Sequence, residues 1–153
     1  MKTKPVFSET TPSDLTQLAA DILRLSDFFI QNPAAQTPWN ETYCQNAYRN
    51  YFLPLNYIRA AGVIQRGQQV GFFSDLQTTI DWGAGPGTAS FAIADLLKQQ
   101  IQKQILIEKS ATALNKFTDL HQKLINPKTT TELNLKNLNV ETAKTLLIFF
   151  LTR

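Results

Sequence analysis

The chain has 153 residues, of which 43% are hydrophobic, and this suits one buried core with a helical appendage. Its longest apolar runs, at residues 55–64 and 145–151, are far shorter than the about 20 residues of a membrane-spanning helix. The N-terminal segment lacks the apolar core and small-residue site of a secretory signal. Cys44 is the single cysteine, which excludes an internal disulfide and a cysteine-built metal cluster. A cytoplasmic protein without membrane association is expected.

Charge is distributed unevenly along the chain. Residues 1–97 carry 6 basic and 8 acidic side chains, whereas residues 98–153 carry 9 and 4. A basic C-terminal half is compatible with RNA phosphates as a partner. The lysines nevertheless occur singly at helical-surface spacing, which is typical of a solvated face.

The N-terminal region is predicted to form helices. Ser13 is expected to cap the first helix, which ends near Asn32 and buries one apolar stripe. The second is expected to begin near Thr37, to stop at Gly67 and to kink or break at Pro54, which removes a backbone donor. The predicted inner side chains are Leu15, Leu18, Ala19, Ile22, Leu23 and Phe29 in the first helix, and Tyr43, Ala47, Tyr51, Leu55, Ile58 and Ala61 in the second.

From Thr78 onward, short apolar runs alternate with helical segments, which is typical of βαβ units and a parallel sheet. We therefore predict an α/β fold in which N-terminal helices (residues 1–72) precede a sheet of about four parallel strands (residues 73–153). Ser110 is expected to cap the second helix of this region. The predicted strands are Thr78–Trp82, Gln104–Glu108, Thr131–Leu135 and Thr145–Leu151; the helices are Gly87–Lys103 and the one that buries Leu114, Phe117, Leu120 and Leu124 before Asn126–Pro127.

The most informative motif is Asp81–Thr88 (DWGAGPGT), which lies where a strand turns into a helix. Alternate glycines allow a sharp turn and a close approach between backbone and ligand. The helix that follows adds backbone donors and the positive end of a dipole, suited to a ligand carboxylate. A nucleotide-like ligand is indicated. The alternative is a tight turn at Gly83–Gly87 with Glu108 as a solvated strand end.

The glycines fall at the first, third and fifth positions, whereas dinucleotide enzymes favour the first, third and sixth. A nicotinamide-dependent oxidoreductase is thereby disfavoured. The motif, with Asp81 two residues ahead, resembles the first motif of class I S-adenosylmethionine-dependent methyltransferases, whose Rossmann-like sheet this one would partly reproduce. The resemblance implies that Asp81 lies beside the amino-acid end of S-adenosylmethionine and that Glu108, at the end of the next strand, accepts both ribose hydroxyls. The implied cofactor-binding residues are Asp81, Gly83, Ala84, Gly85, Pro86, Gly87 and Glu108.

A narrower resemblance covers roughly residues 40–110. Residues 47–60 (AYRNYFLPLNYIRA), followed by the glycine loop, look like the methyltransferase-like family associated with assembly of the small ribosomal subunit in mitochondria, which has bacterial relatives. This implies ribosomal RNA or the small subunit as a partner. Mitochondrial members carry cysteines for an iron–sulfur cluster, and since this chain has only Cys44, no metal is expected.

A complete class I methyltransferase has seven strands, and groups that face the methyl acceptor generally follow the fourth. Here the fourth, Thr145–Leu151, is expected to have an open edge. A C-terminally truncated or split product is therefore expected, with a missing C-terminal segment or second chain as a partner. No catalytic residue is assigned. Three interpretations remain open: a methyltransferase, a non-catalytic ribosome-assembly or RNA-binding factor that retains the fold, and an inactive N-terminal fragment.

Overall fold

The computed structural model describes residues 15–97, 100–116, 130–132 and 145–149, the last two as backbone strands. The described residues combine helices with strands that pair in parallel, which is compatible with the predicted α/β class. The chain divides into two compact units between Leu55 and Asn56. Among the described helices, none is both long and apolar enough to cross a membrane. Several predictions fall outside the described residues. They concern Ser13, residues 98–99, Phe117, Leu120, Leu124, Asn126–Pro127 and the ends of the third and fourth strands (residues 133–135 and 150–151).

In the first unit, helix α1 (Leu15–Gln31) packs against α2 (Thr42–Ala47). The predicted inner stripe of α1 is wrong at three positions, because Leu15 and Leu23 are 74% and 65% exposed and Ala19 is exposed too. The other three predicted residues, Leu18, Ile22 and Phe29, are half-buried. The buried residues of this helix are Asp21 and Leu25. Asn46 of α2 donates a hydrogen bond to the Asp21 carboxylate at 2.6 Å, and this polar contact turns the Asp21 face of α1 inward.

A π-helical segment, Tyr48–Phe52, separates α2 from α3 (Leu53–Gln69). The N–H of Leu53 donates to the carbonyl of Tyr48, five residues earlier, which widens the helix directly before Pro54. Since Pro54 has no N–H and its ring crowds the preceding turn, the predicted interruption at this proline is confirmed.

The helix end predicted at Gly67 is wrong, because α3 continues to Gln69. Gly71 has a φ of 72°, and this left-handed residue turns the chain away after the helix. The inner side of α3 also differs from the prediction: Ile58 is 68% exposed, whereas Ala60 and Ile64 are buried. Gly67 instead allows the Phe73 ring to pack against the helix, since a Cβ at this position would collide with the ring.

The second unit contains the sheet, whose strands are β1 (Thr78–Trp82), β2 (Lys103–Ile107), β3 (Thr130–Glu132) and β4 (Thr145–Phe149). Their order in the sheet is β3-β2-β1-β4. β1 is Thr78–Trp82, as predicted, and it pairs in parallel with β2 (Lys103–Ile107) on one side and β4 (Thr145–Phe149) on the other. β3 (Thr130–Glu132) pairs in parallel with β2. Both β1 and β2 therefore end at the same edge of the sheet, and this edge carries the glycine loop.

Helices α4 (Thr88–Leu96) and α5 (Ala111–Lys116) lie on one face of β1 and β2. Leu106 of β2 packs with Leu114 of α5, and Gln104 of β2 bonds to α4. α4 also packs toward α3 through an apolar cluster. The buried members of this cluster are Ala60, Ile64, Phe73, Leu76, Ala89, Ala92, Ile93, Leu97 and Ile101.

Substituting Gly67 tests this packing. Gly67→Ala should lower the free energy of unfolding by about 1–3 kcal/mol, because the new methyl group displaces the buried Phe73 ring. The measurement is urea unfolding followed by circular dichroism.

Gly62→Ala is the matched control. It lies on the same helix, and its added Cβ meets nothing within 4 Å, so helix propensity should make it neutral or more stable by up to about 1 kcal/mol. Equal stability of the two variants would contradict the packing of Phe73 against Gly67.

Candidate functional site

The segment Gly83–Gly87 connects the end of β1 to the start of α4. Gly83, Gly85 and Gly87 have φ angles of 69°, 54° and 78°. These values lie in the left-handed region, which side chains with a Cβ rarely adopt. The three alternate glycines are therefore required by the path of the backbone.

Backbone hydrogen bonds tie this loop to the end of β2. The N–H groups of Gly83 and Ala84 both donate to the carbonyl of Ile107, at 2.8 and 3.1 Å. The N–H of Gly87 donates to the carbonyl of Ala84 at 2.7 Å, which closes the turn. The loop is thus held across the ends of both strands.

Glu108 follows directly after β2 and faces the loop. Its Oε2 accepts a hydrogen bond from the N–H of Gly85 at 2.8 Å, and its Oε1 accepts one from the N–H of Ser110 at 2.9 Å. The side chain is half-buried. Because each carboxylate oxygen can accept more than one hydrogen bond, both keep capacity for ligand hydroxyls.

Ser110 has the capping role that the sequence predicts. Its hydroxyl accepts a hydrogen bond from the N–H of Ala113 at 3.2 Å, at the start of α5. The Glu108 carboxylate therefore joins the glycine loop to the beginning of a second helix.

Asp81 is 2% exposed and caps α4 from β1, the strand that precedes this helix. Its Oδ2 accepts hydrogen bonds from the hydroxyl of Ser90 at 2.8 Å and from the N–H of Ser90 at 3.3 Å. Gly87, the residue before the helix, has no side chain for this purpose. Burial raises the pKa of Asp81 to about 6, against the opposing effect of the Ser90 hydrogen bonds and with a smaller increase from the charge of Glu108.

Ser90 and Gln104 were not predicted as part of this site. The Nε2 of Gln104 donates to the carbonyl of Ser90 at 3.0 Å, and both side chains are buried. Gln104 and Thr79 are partners in the strand register and so lie on the same face of the sheet. A polar residue such as Gln104 inside a strand that a helix covers needs a buried hydrogen-bond partner. This is the sequence signal that would have indicated Gln104 and its partner in α4.

The start of the loop is exposed to solvent. Gly83 is exposed and Trp82 is 39% exposed, whereas the remainder of the loop is buried. The structure brings Glu108 directly against the loop, and it places Asp81 beneath the first turn of α4. The buried loop residues are Ala84, Gly85, Pro86 and Gly87.

Within the described residues, no group of three or more His, Cys, Asp or Glu side chains is placed to hold a metal ion. Cys44 is fully buried, and burial raises its pKa to about 12. The protonated thiol is a poor nucleophile at neutral pH. The glycine loop with Glu108 is therefore the candidate site.

Compared with known protein families and with curated protein sequences, the chain matches none.

Titration of Asp81 gives a stability test. Its pKa is about 6 in the folded state, above the ordinary 3.8, so the folded protein holds a proton that the unfolded chain releases. The contribution of Asp81 to the free energy of unfolding should be largest below pH 4. It should fall between pH 4 and 6 by on the order of 3 kcal/mol. Asp81→Asn should flatten this decline and raise stability at pH 7, as measured by urea unfolding across the pH range.

Asp75→Asn is the control, because Asp75 is an exposed carboxyl in the same unit. It should leave the pH profile of the wild type unchanged. A decline that persists unaltered in Asp81→Asn would show that another group is responsible.

Proposed function

We propose that the chain is an S-adenosylmethionine-binding protein of the class I methyltransferase type. The observation that carries this proposal is the hydrogen bond between the N–H of Gly85 and Oε2 of Glu108. It joins a glycine loop after one strand to an acid after the next, which is the arrangement expected for holding an adenosine.

The topology supports the same proposal. The order β3-β2-β1-β4 matches the first four strands of the 3-2-1-4-5-6 nucleotide-binding fold. In such sheets, ligands bind outside the carboxyl ends of the strands where the order reverses. Here this place lies between β1 and β4, and the glycine loop begins at the end of β1. We therefore interpret the sheet as part of a Rossmann-like methyltransferase domain.

The residues suit the cofactor chemically. The oxygens of Glu108 have capacity for two ribose hydroxyls, and the left-handed glycines keep side chains away from the ligand's path. S-Adenosylmethionine, when bound, supplies an activated methyl group on its sulfonium. The protein's own contribution would be to hold and orient the donor, since enzymes of this type act mainly by positioning.

From the sequence resemblance, we extend this proposal to association with ribosomal RNA or the small ribosomal subunit. A cytoplasmic location is proposed from the sequence itself, which shows neither a secretory signal nor an apolar run of membrane-spanning length. A non-catalytic assembly factor would retain the same fold. Cofactor binding separates the two, because a platform that has lost the methyltransferase function need not bind the cofactor.

Isothermal titration calorimetry with S-adenosylmethionine tests the proposal. Wild type should bind one equivalent, and Glu108→Gln should weaken binding by about tenfold or more, because an amide offers one acceptor oxygen where the carboxylate offers two. Circular dichroism of the variant verifies its fold.

Asp75→Asn removes the same charge from an exposed position and should bind like the wild type. A folded wild type that releases no heat and shows no binding would refute the cofactor proposal and favour the non-catalytic platform. Equal affinity of Glu108→Gln and wild type would place the ligand away from Glu108.

A further inference from the structure

One side of helix α1 carries an exposed apolar stripe. Leu15, Leu23 and Ile30 are 74%, 65% and 74% exposed, and Ala19 is exposed as well. At about 100° per residue, these four side chains lie within about 80° of one another around the helix. We call these four residues the α1 stripe. Because its large apolar side chains are aligned, the stripe forms one surface, which is typical of an interaction site.

The contacts of α1 within its own unit lie on a different side of the helix. Leu25 is fully buried, and the carboxylate of Asp21 accepts a hydrogen bond from Asn46 of α2. Asp21 lies at least about 120° around the helix from every member of the α1 stripe. The stripe therefore faces away from α2.

The spacing of the α1 stripe suits a second copy of the same helix. Leu23 stands 8 residues after Leu15 and 7 residues before Ile30, which corresponds to about 12 and 10.5 Å along the helix axis. A two-fold axis at Leu23 would therefore place Leu15 of each copy opposite Ile30 of the other, in antiparallel helices. The small side chain of Ala19 allows the two helices to approach closely.

The charges of α1 favour the same antiparallel pair. Its first turn has no acidic side chain and its last turn no basic one, so an antiparallel copy would bring the negative end of each dipole beside the positive end of the other. Arg24 packs over the ring of Tyr43, at 3.9 Å from its centroid. Asp27 borders the stripe, but in this pair the two Asp27 residues are separated by about 12 Å along the helices, beyond the about 8–10 Å over which exposed charges interact.

We propose that two copies of the chain associate through the α1 stripe, as an antiparallel helix pair with Leu23 at the two-fold axis. The helix has 17 residues. A pair of such helices, each about 25 Å long, buries less than the about 800 Å² per partner of a standard stable interface. The association is therefore reversible and depends on protein concentration. It is independent of the proposed cofactor function.

Sedimentation velocity of the 153-residue chain, from low micromolar to several hundred micromolar concentration, tests this association. Wild type should shift from monomer to dimer as the concentration rises. Leu23→Glu should raise the dissociation constant by about tenfold or more, because it places two carboxylates together at the centre of the interface. Circular dichroism should show an unchanged fold, since Leu23 is exposed.

Val63→Glu is the matched control, because Val63 is a 69% exposed apolar residue of another helix, α3. It should dimerise like the wild type. A wild type that stays monomeric over the whole range would overturn the proposal. Dimerisation of Leu23→Glu as tight as that of wild type would do the same, since it would place the interface elsewhere in the chain.

Disulfide cross-linking under mild oxidation tests the arrangement of the two helices. Helix axes about 8–10 Å apart bring facing Cα atoms to within the about 4.4–6.8 Å that a disulfide spans. Leu23→Cys should therefore form a covalent dimer, whereas wild type should not, because its Cys44 is fully buried.

A mixture of Leu15→Cys and Ile30→Cys should form the mixed disulfide in preference to either symmetric one. Symmetric disulfides in each of these variants alone would indicate parallel helices and overturn the antiparallel pair. Failure of Leu23→Cys to cross-link at concentrations where wild type is dimeric would remove Leu23 from the interface and overturn the proposal.

Discussion

The contact between Glu108 and the N–H of Gly85 determines how the site is built. It joins the residue directly after β2 to the loop that follows β1, over 23 positions of sequence. The same carboxylate accepts a hydrogen bond from the N–H of Ser110 and so fixes the start of α5. One side chain thereby sets the separation of loop, strand and helix. A ligand bound here would meet a carboxylate that is already oriented.

Beneath the loop, a buried polar layer replaces the apolar packing usual between helix and sheet. Asp81 caps α4 through Ser90, and Gln104 binds the carbonyl of Ser90 from the neighbouring strand. Burying a carboxylate without a cation is unfavourable, which is why the pKa of Asp81 rises. In return, the first turn of α4 is anchored without any side chain on Gly87. The buried Asp81 carboxylate thus lowers the stability of the folded state but fixes the position of the N-terminus of α4.

Local chemistry made part of this structure predictable. The bounds of β1, the cap at Ser110 and the interruption before Pro54 each depend on residues within a few positions, so the sequence alone indicates them. The buried face of α1 was predicted only in part, because Asp21 also faces inward, where it accepts a hydrogen bond from Asn46, 25 positions away. Hydrophobic periodicity carries no information about such a partner. Likewise, the sequence pointed to Asp81 and Glu108 as ligand residues, but their hydrogen bonds to Ser90 and Gly85 appear only once the strands are side by side.

A crystal structure of the chain with S-adenosylhomocysteine would show where the cofactor binds and which residues contact it. We expect the ligand to lie along the glycine loop, with both ribose hydroxyls within hydrogen-bond distance of the Glu108 carboxylate. A ligand bound elsewhere, or a Glu108 side chain that turns away from the ribose, would contradict it.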